Sequence, residues 1–131
     1  MNKNLTLYII IISLLTLLSC KSKTDYQVHS PDNNQKINLN NNNGELSYQL
    51  ISYGDTVIRS SKLGFAIDQT FQVIRTERTN HDEIWEPVYG QVKEIRDHYN
   101  QLKLVLEESS GITMNVYVRV FNDGVGFRYE Y

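Results

Sequence analysis

Between Glu83 and Asn100 the chain gathers most of the side chains able to do chemistry: the carboxylates of Glu83, Glu86, Glu94 and Asp97, the single Trp at Trp85, and Tyr89, Arg96, His98, Tyr99 and Asn100. Aromatic faces stack on the C–H surfaces of sugars, while Arg and Asn donate to hydroxyls. Trp85, Tyr89, Arg96, His98, Tyr99 and Asn100 therefore form a candidate rim for a glycan site. The same six residues fit a second arrangement, in which Trp85 and Tyr99 are core residues and the polar ones brace an interface to another domain. Both stay open on the sequence alone.

Glycoside cleavage needs two carboxyl groups across the scissile bond, one protonated and one ionised, about 5 to 10 Å apart. Nothing in the spacing of Glu83, Glu86, Glu94 and Asp97 fixes two of them on facing elements, or buries one so that its pKa rises. No catalytic residue is assigned in this chain. His81-Asp82-Glu83 and Asp97-His98 hold metal-ligating types, but a spacing of one or two residues reads as solvated loop charge, so no metal ligand is assigned either. No Ser-His-Asp or Cys-His arrangement and no glycine-rich phosphate loop is present. The balance of 13 basic and 15 acidic residues, net −2, contains no dense basic cluster, which argues against nucleic acid as a partner. Loss of Lys3 with a cleaved leader takes that balance to −3.

The elements that must position these residues read as strands. Leu46, Tyr48 and Leu50 alternate with Ser47 and Gln49. Leu102, Leu104 and Leu106 alternate with Lys103 and Val105, and after a turn at Glu108 to Gly111 the pattern resumes as Ile112, Met114, Val116, Val118 and Val120. That pattern predicts an antiparallel hairpin. Asn122-Asp123-Gly124 makes a further turn, and Val125, Phe127, Tyr129 and Tyr131 continue the alternation to an apolar edge strand, a feature that invites association. Pro31-Asp32-Asn33-Asn34, Asn43-Gly44 and Gly54-Asp55 carry turn chemistry, and Gly64 beside Phe65 suggests a bulge. Thr76 to Ile84 is polar and reads as an exposed loop. Val92, Ile95, Tyr99 and Leu102 recur at helical spacing, so a helical turn competes with strand there. Many short strands between turn signals predict an all-β antiparallel sandwich.

The N-terminus carries an address. Residues 1–19 have a positive Lys3 followed by an apolar run from Leu5 to Leu18, the form of a signal peptide. Leu17-Leu18-Ser19-Cys20 fits the bacterial lipobox, in which Cys20 becomes the lipidated mature N-terminus. The expectation is a cell-envelope protein, a periplasmic or outer-membrane lipoprotein held by its lipid anchor. Cys20 is the only Cys, so no intrachain disulfide can form. Residues 20–27 read as the lipidated Cys and a polar tether, and 28–131 as the folded domain.

Five stretches in order carry a family resemblance: Ser30-Pro31-Asp32, Ser61-Lys62-Leu63-Gly64, Trp85-Glu86-Pro87-Val88-Tyr89-Gly90, Ile95-Arg96-Asp97-His98-Tyr99-Asn100-Gln101-Leu102, and Asn122-Asp123-Gly124-Val125-Gly126-Phe127-Arg128-Tyr129-Glu130. Together they resemble the N-terminal domain of glycoside hydrolase family 97, bacterial α-glucosidases and α-galactosidases, over Val28 to Tyr131. Gln101 departs from the pattern, which expects an acidic residue there. The resemblance implies the first part of a large N-terminal β-sandwich, incomplete here, that supports a following catalytic barrel. It also implies that the acid, the base or nucleophile and most calcium-binding groups lie in that barrel, and that an α-linked glycan is the partner of the full-length enzyme. The alternative is a free-standing surface lipoprotein that binds glycan or a protein partner without catalysis.

Overall fold

The computed structural model describes residues 26–64 and 70–131, which form eight strands and no helix. They are β1 (Tyr26–His29), β2 (Gln35–Asn42), β3 (Glu45–Ser52), β4 (Asp55–Lys62), β5 (Phe71–Trp85), β6 (Ile95–Glu108), β7 (Thr113–Val120) and β8 (Val125–Glu130). Two four-stranded sheets result, ordered β1-β2-β3-β4 and β5-β6-β7-β8, with every neighbouring pair antiparallel. Cys20 and the signal-peptide residues lie outside the described residues, as does part of the bulge expected at Gly64-Phe65.

Alternation decides which faces meet. Leu102, Leu104 and Leu106 of β6, Met114, Val116, Val118 and Val120 of β7 and Phe71 of β5 point inward, where Val28, Ile37, Leu39, Leu46 and Leu63 close the core from the other side. Complete burial of such side chains contributes roughly 1.5–3 kcal/mol each, so this hairpin anchors the sandwich. The turns follow the chemistry of their residues. Asn43 and Gly44 both adopt positive φ, 53° and 90°, as a two-residue hairpin requires. A Cβ on Gly44 would lie 2.5 Å from the Thr70 Cβ, so that position admits no side chain.

Two segments differ from the sequence expectation. Thr76 to Ile84 is strand, not loop, and forms the middle of β5. Its polarity has a physical counterpart: beyond Val73 nearly every β5 side chain is exposed on both faces while the backbone pairs with β6, so no face alternates into a core. No helical turn forms at Val92 to Leu102, because Ile95 to Leu102 pair with β5 throughout and Leu102 enters the core as part of a period of two.

The strands differ in reach. β6 pairs with β7 only from Asn100 to Glu107, whereas its pairing with β5 continues to Trp85↔Ile95. Beyond Asn100 the β5–β6 hairpin therefore leaves the sandwich as a two-stranded arm, residues 81–85 and 95–99. Five residues of strand carry it about 17 Å.

Candidate functional site

All six candidate residues lie on this arm or at its root, but on different faces. Period two places His81, Glu83 and Trp85 of β5 beside Tyr99, Asp97 and Ile95 of β6 on one face. Asp82 and Ile84 lie beside His98 and Arg96 on the other, in line with Asn100 and the core leucines.

The root is braced from three directions. Tyr99 is only 7% exposed although its face continues the solvent side of the sheet. His81 stacks on its ring with centroids 4.9 Å apart, Phe121 tilts against it at 5.2 Å, and the Arg119 guanidinium sits 4.4 Å from its centroid. On the opposite face Asn100 Nδ2 donates to the His29 carbonyl at 2.9 Å, and Arg78 donates to the Gln27 carbonyl. These two bonds occupy backbone acceptors of β1 and tie one sheet to the other. Gln101 accepts from Arg119 Nε at 2.8 Å and donates to Thr79 Oγ1 at 3.2 Å. The amide both accepts and donates here.

Farther out, Arg96 grips Asp82 with two parallel bonds, Nε to Oδ1 at 2.7 Å and Nη2 to Oδ2 at 2.8 Å, and His98 Nε2 lies 4.0 Å from the same carboxylate. The Arg96 hydrogen bonds hold the Asp82 carboxyl below its ordinary value of 3.8. An ionised, solvated carboxylate of this kind has no proton to give as a general acid. The stability linked to this shift is complete above pH 3.8 and is lost as pH falls through the lower folded-state value. Titration of the Asp82 carboxyl carbon by NMR should give a midpoint below that of an ordinary Asp, and Arg96→Met should return it to the ordinary range.

His81 Nε2 lies 3.4 Å from Asp97 Oδ2 and 3.6 Å from Glu83 Oε2. The three share a face because Glu83 lies two residues from His81 on β5 and Asp97 is the cross-strand partner of Glu83 on β6. Even so, no group of three His, Cys, Asp or Glu among the described residues is placed to hold a metal ion.

Residues 86–94 connect the two strands of the arm and form its tip. Trp85, Pro87, Val88, Tyr89, Val92 and Ile95 enclose an open hollow of about 460 Å³ there. Val88 is 99% exposed and Tyr89 89%. A larger hollow, about 690 Å³, lies at the opposite end of the sandwich around Asn41, Gly44, Phe71 and Glu108, and none of the six candidates lines it.

The six candidates therefore divide by role. Tyr99 and Asn100 brace the root, Arg96 and His98 belong to the Asp82 cluster, and Trp85 and Tyr89 stand at the tip. Sequence reasoning missed Arg119 and Phe121, which cover Tyr99, and Val88 and Val92 at the tip. The signal for the tip pair was available: two β-branched residues between Pro87 and Ile95 in a segment with no core periodicity.

Residues 28–131 match the family described as Glycosyl-hydrolase 97 N-terminal. A retaining alpha-galactosidase of Bacteroides thetaiotaomicron is 25% identical over 126 residues, covering 92% of this chain and 18% of that protein. A Glycoside Hydrolase Family 97 enzyme from Pseudoalteromonas sp. strain K8, solved in complex with acarbose, is similar at a TM-score of 0.71 and 29% identity, over 80% of this chain and 17% of that one. A variant solved in complex with panose gives the same figures. A beta-arabinopyranosidase shares the fold at a TM-score of 0.73 and 24% identity, covering 81% of this chain and 18% of its own. The chain spans less than a fifth of each of these relatives.

Proposed function

The chain belongs to glycoside hydrolase family 97 through its N-terminal domain, and on that premise we propose that residues 28–131 are an accessory module, not catalytic alone, that supports and shapes the active-site cleft of a catalytic barrel in the same polypeptide. The observation that carries this reading is the division of roles along the arm. Of the six side chains, Tyr99 and Asn100 fix a protruding hairpin to the sandwich, Arg96 and His98 meet Asp82 along it, and Trp85 and Tyr89 stand at an apolar tip in solvent. Such a construction suits contact with another folded surface.

An α-linked glycan is then the partner of the whole enzyme, and its acid and its base or nucleophile belong to the barrel. Calcium, which the family resemblance implies for the full-length enzyme, is assigned for the most part to the barrel on the same ground. The proposal includes the address, with Cys20 lipidated and the module anchored at the cell envelope.

One observation favours the second reading, a lipoprotein that binds glycan by itself: Trp85 and Tyr89 offer exposed rings at one hollow. Calorimetric titration of the purified chain from Lys21 onward with panose separates the two. The accessory reading expects no saturable binding tighter than about 1 mM, a free energy of about −4 kcal/mol. Micromolar binding abolished by Trp85→Ala would favour the independent glycan binder.

A further inference from the structure

We infer that the tip of the β5–β6 arm is the docking knob for the catalytic barrel of the same polypeptide, receiving an apolar patch of that domain in the hollow between Trp85, Val88, Tyr89, Val92 and Ile95. The inference rests on the accessory-module reading and adds the surface that makes the contact.

The chemistry of the hollow selects its occupant. A site for a sugar needs several polar groups converging on its hydroxyls, yet the Trp85 indole N–H, the Tyr89 hydroxyl and the Gln91 amide are the only polar side-chain groups among the residues lining this one. The donors and acceptors of the arm are spent elsewhere, Arg96 on Asp82 and Asn100 on the His29 carbonyl. Glu86, Lys93 and Glu94 stand exposed beside the hollow as a polar margin, so a Trp and a Tyr among aliphatic residues lie inside a charged rim, the anatomy of a protein interface.

Exposure points the same way. Trp85, Val88, Tyr89 and Val92 are all more than half exposed around one hollow, and contiguous apolar groups on soluble domains mark contact sites. A partner of sufficient size exists in cis in the relatives, where more than four-fifths of the protein lies outside the matched module. The braced root makes the arm a stiff lever: Tyr99 held on three sides, and the clasp of Asn100 and Arg78 on β1, fix its direction before the partner arrives. Little ordering entropy is then lost on docking.

Amide hydrogen exchange tests this. The tip, residues 86–94, is compared between the full-length polypeptide with its barrel and the chain ending at Tyr131. Exchange at the tip should slow about tenfold or more in the full-length protein, the change expected when an open loop becomes a buried one. The double substitution Val88→Asp and Tyr89→Ser should restore fast exchange there while β6 and β7 stay protected. Equal exchange in the two forms overturns the inference and leaves the accessory reading standing. Protection of the isolated chain by panose overturns it in favour of a glycan, and protection that rises with the concentration of the isolated chain overturns it in favour of a second copy. A reading frame that contains no barrel overturns both the inference and the accessory reading.

Discussion

Cys20→Ala should move the protein from the membrane fraction to the soluble fraction entirely. Lipidation places a diacylglycerol on the sulfur and an acyl chain on the new N-terminus, and several chains together give stable anchoring where one alone gives only reversible binding, on the order of 10⁴ M⁻¹. Cys20 is the only Cys, so no other thiol can substitute. Fractionation followed by mass spectrometry of the N-terminal peptide reads both halves of the expectation. A wild-type protein found wholly soluble, with no lipid mass on that peptide, contradicts it.

Tyr99→Ala should destabilise the fold by about 3–5 kcal/mol, as other large-to-small aromatic replacements do in packed sites. Against a total of about 5–15 kcal/mol for a domain this is a large share. The loss is directional: without the ring, His81, Arg119 and Phe121 no longer meet, and the arm is released from the sheet at its root. Tyr99→Phe keeps every one of those contacts and should stay close to wild type. Urea unfolding gives the magnitude, and amide exchange in residues 81–85 and 95–99 shows whether the arm loosens before the core. Equal midpoints for Tyr99→Ala and Tyr99→Phe would show that the stack does not hold the arm.

Where one face of a strand is buried, the sequence shows it. The hairpin of β6 and β7 was legible because Leu102, Leu104 and Leu106, and Met114 to Val120, alternate without interruption into one core. Asn43-Gly44 was legible because few residues other than Asn and Gly tolerate the positive φ of that turn. The arm was not, for the opposite reason. β5 beyond Val73 faces solvent on both sides, so its residues obey no hydrophobic period and read as loop, although backbone pairing with β6 makes them strand.

The candidate site was legible as a place more than as an arrangement. Composition singled out the segment from Trp85 to Asn100, but could not tell that Tyr99 and Asn100 point to opposite faces with structural partners. Those partners, Arg119 and His29, lie far away in sequence. The family resemblance held, with its matched residues running from 28 to 131.

The central claim, that this module assists catalysis without performing it, is tested most directly by assaying the purified chain from Lys21 onward. Aryl α-glucoside and aryl α-galactoside are the substrates, with calcium present, beside Glu86→Gln, Glu94→Gln and Asp97→Asn variants. A glycosidase depends on an acid and a base or nucleophile held in register, and loss of general acid–base help alone forfeits roughly 10²–10⁴ in rate. The account predicts no turnover above the blank for any of the four proteins. Turnover that one of those substitutions abolishes would contradict it, and would place a catalytic carboxylate on the arm itself.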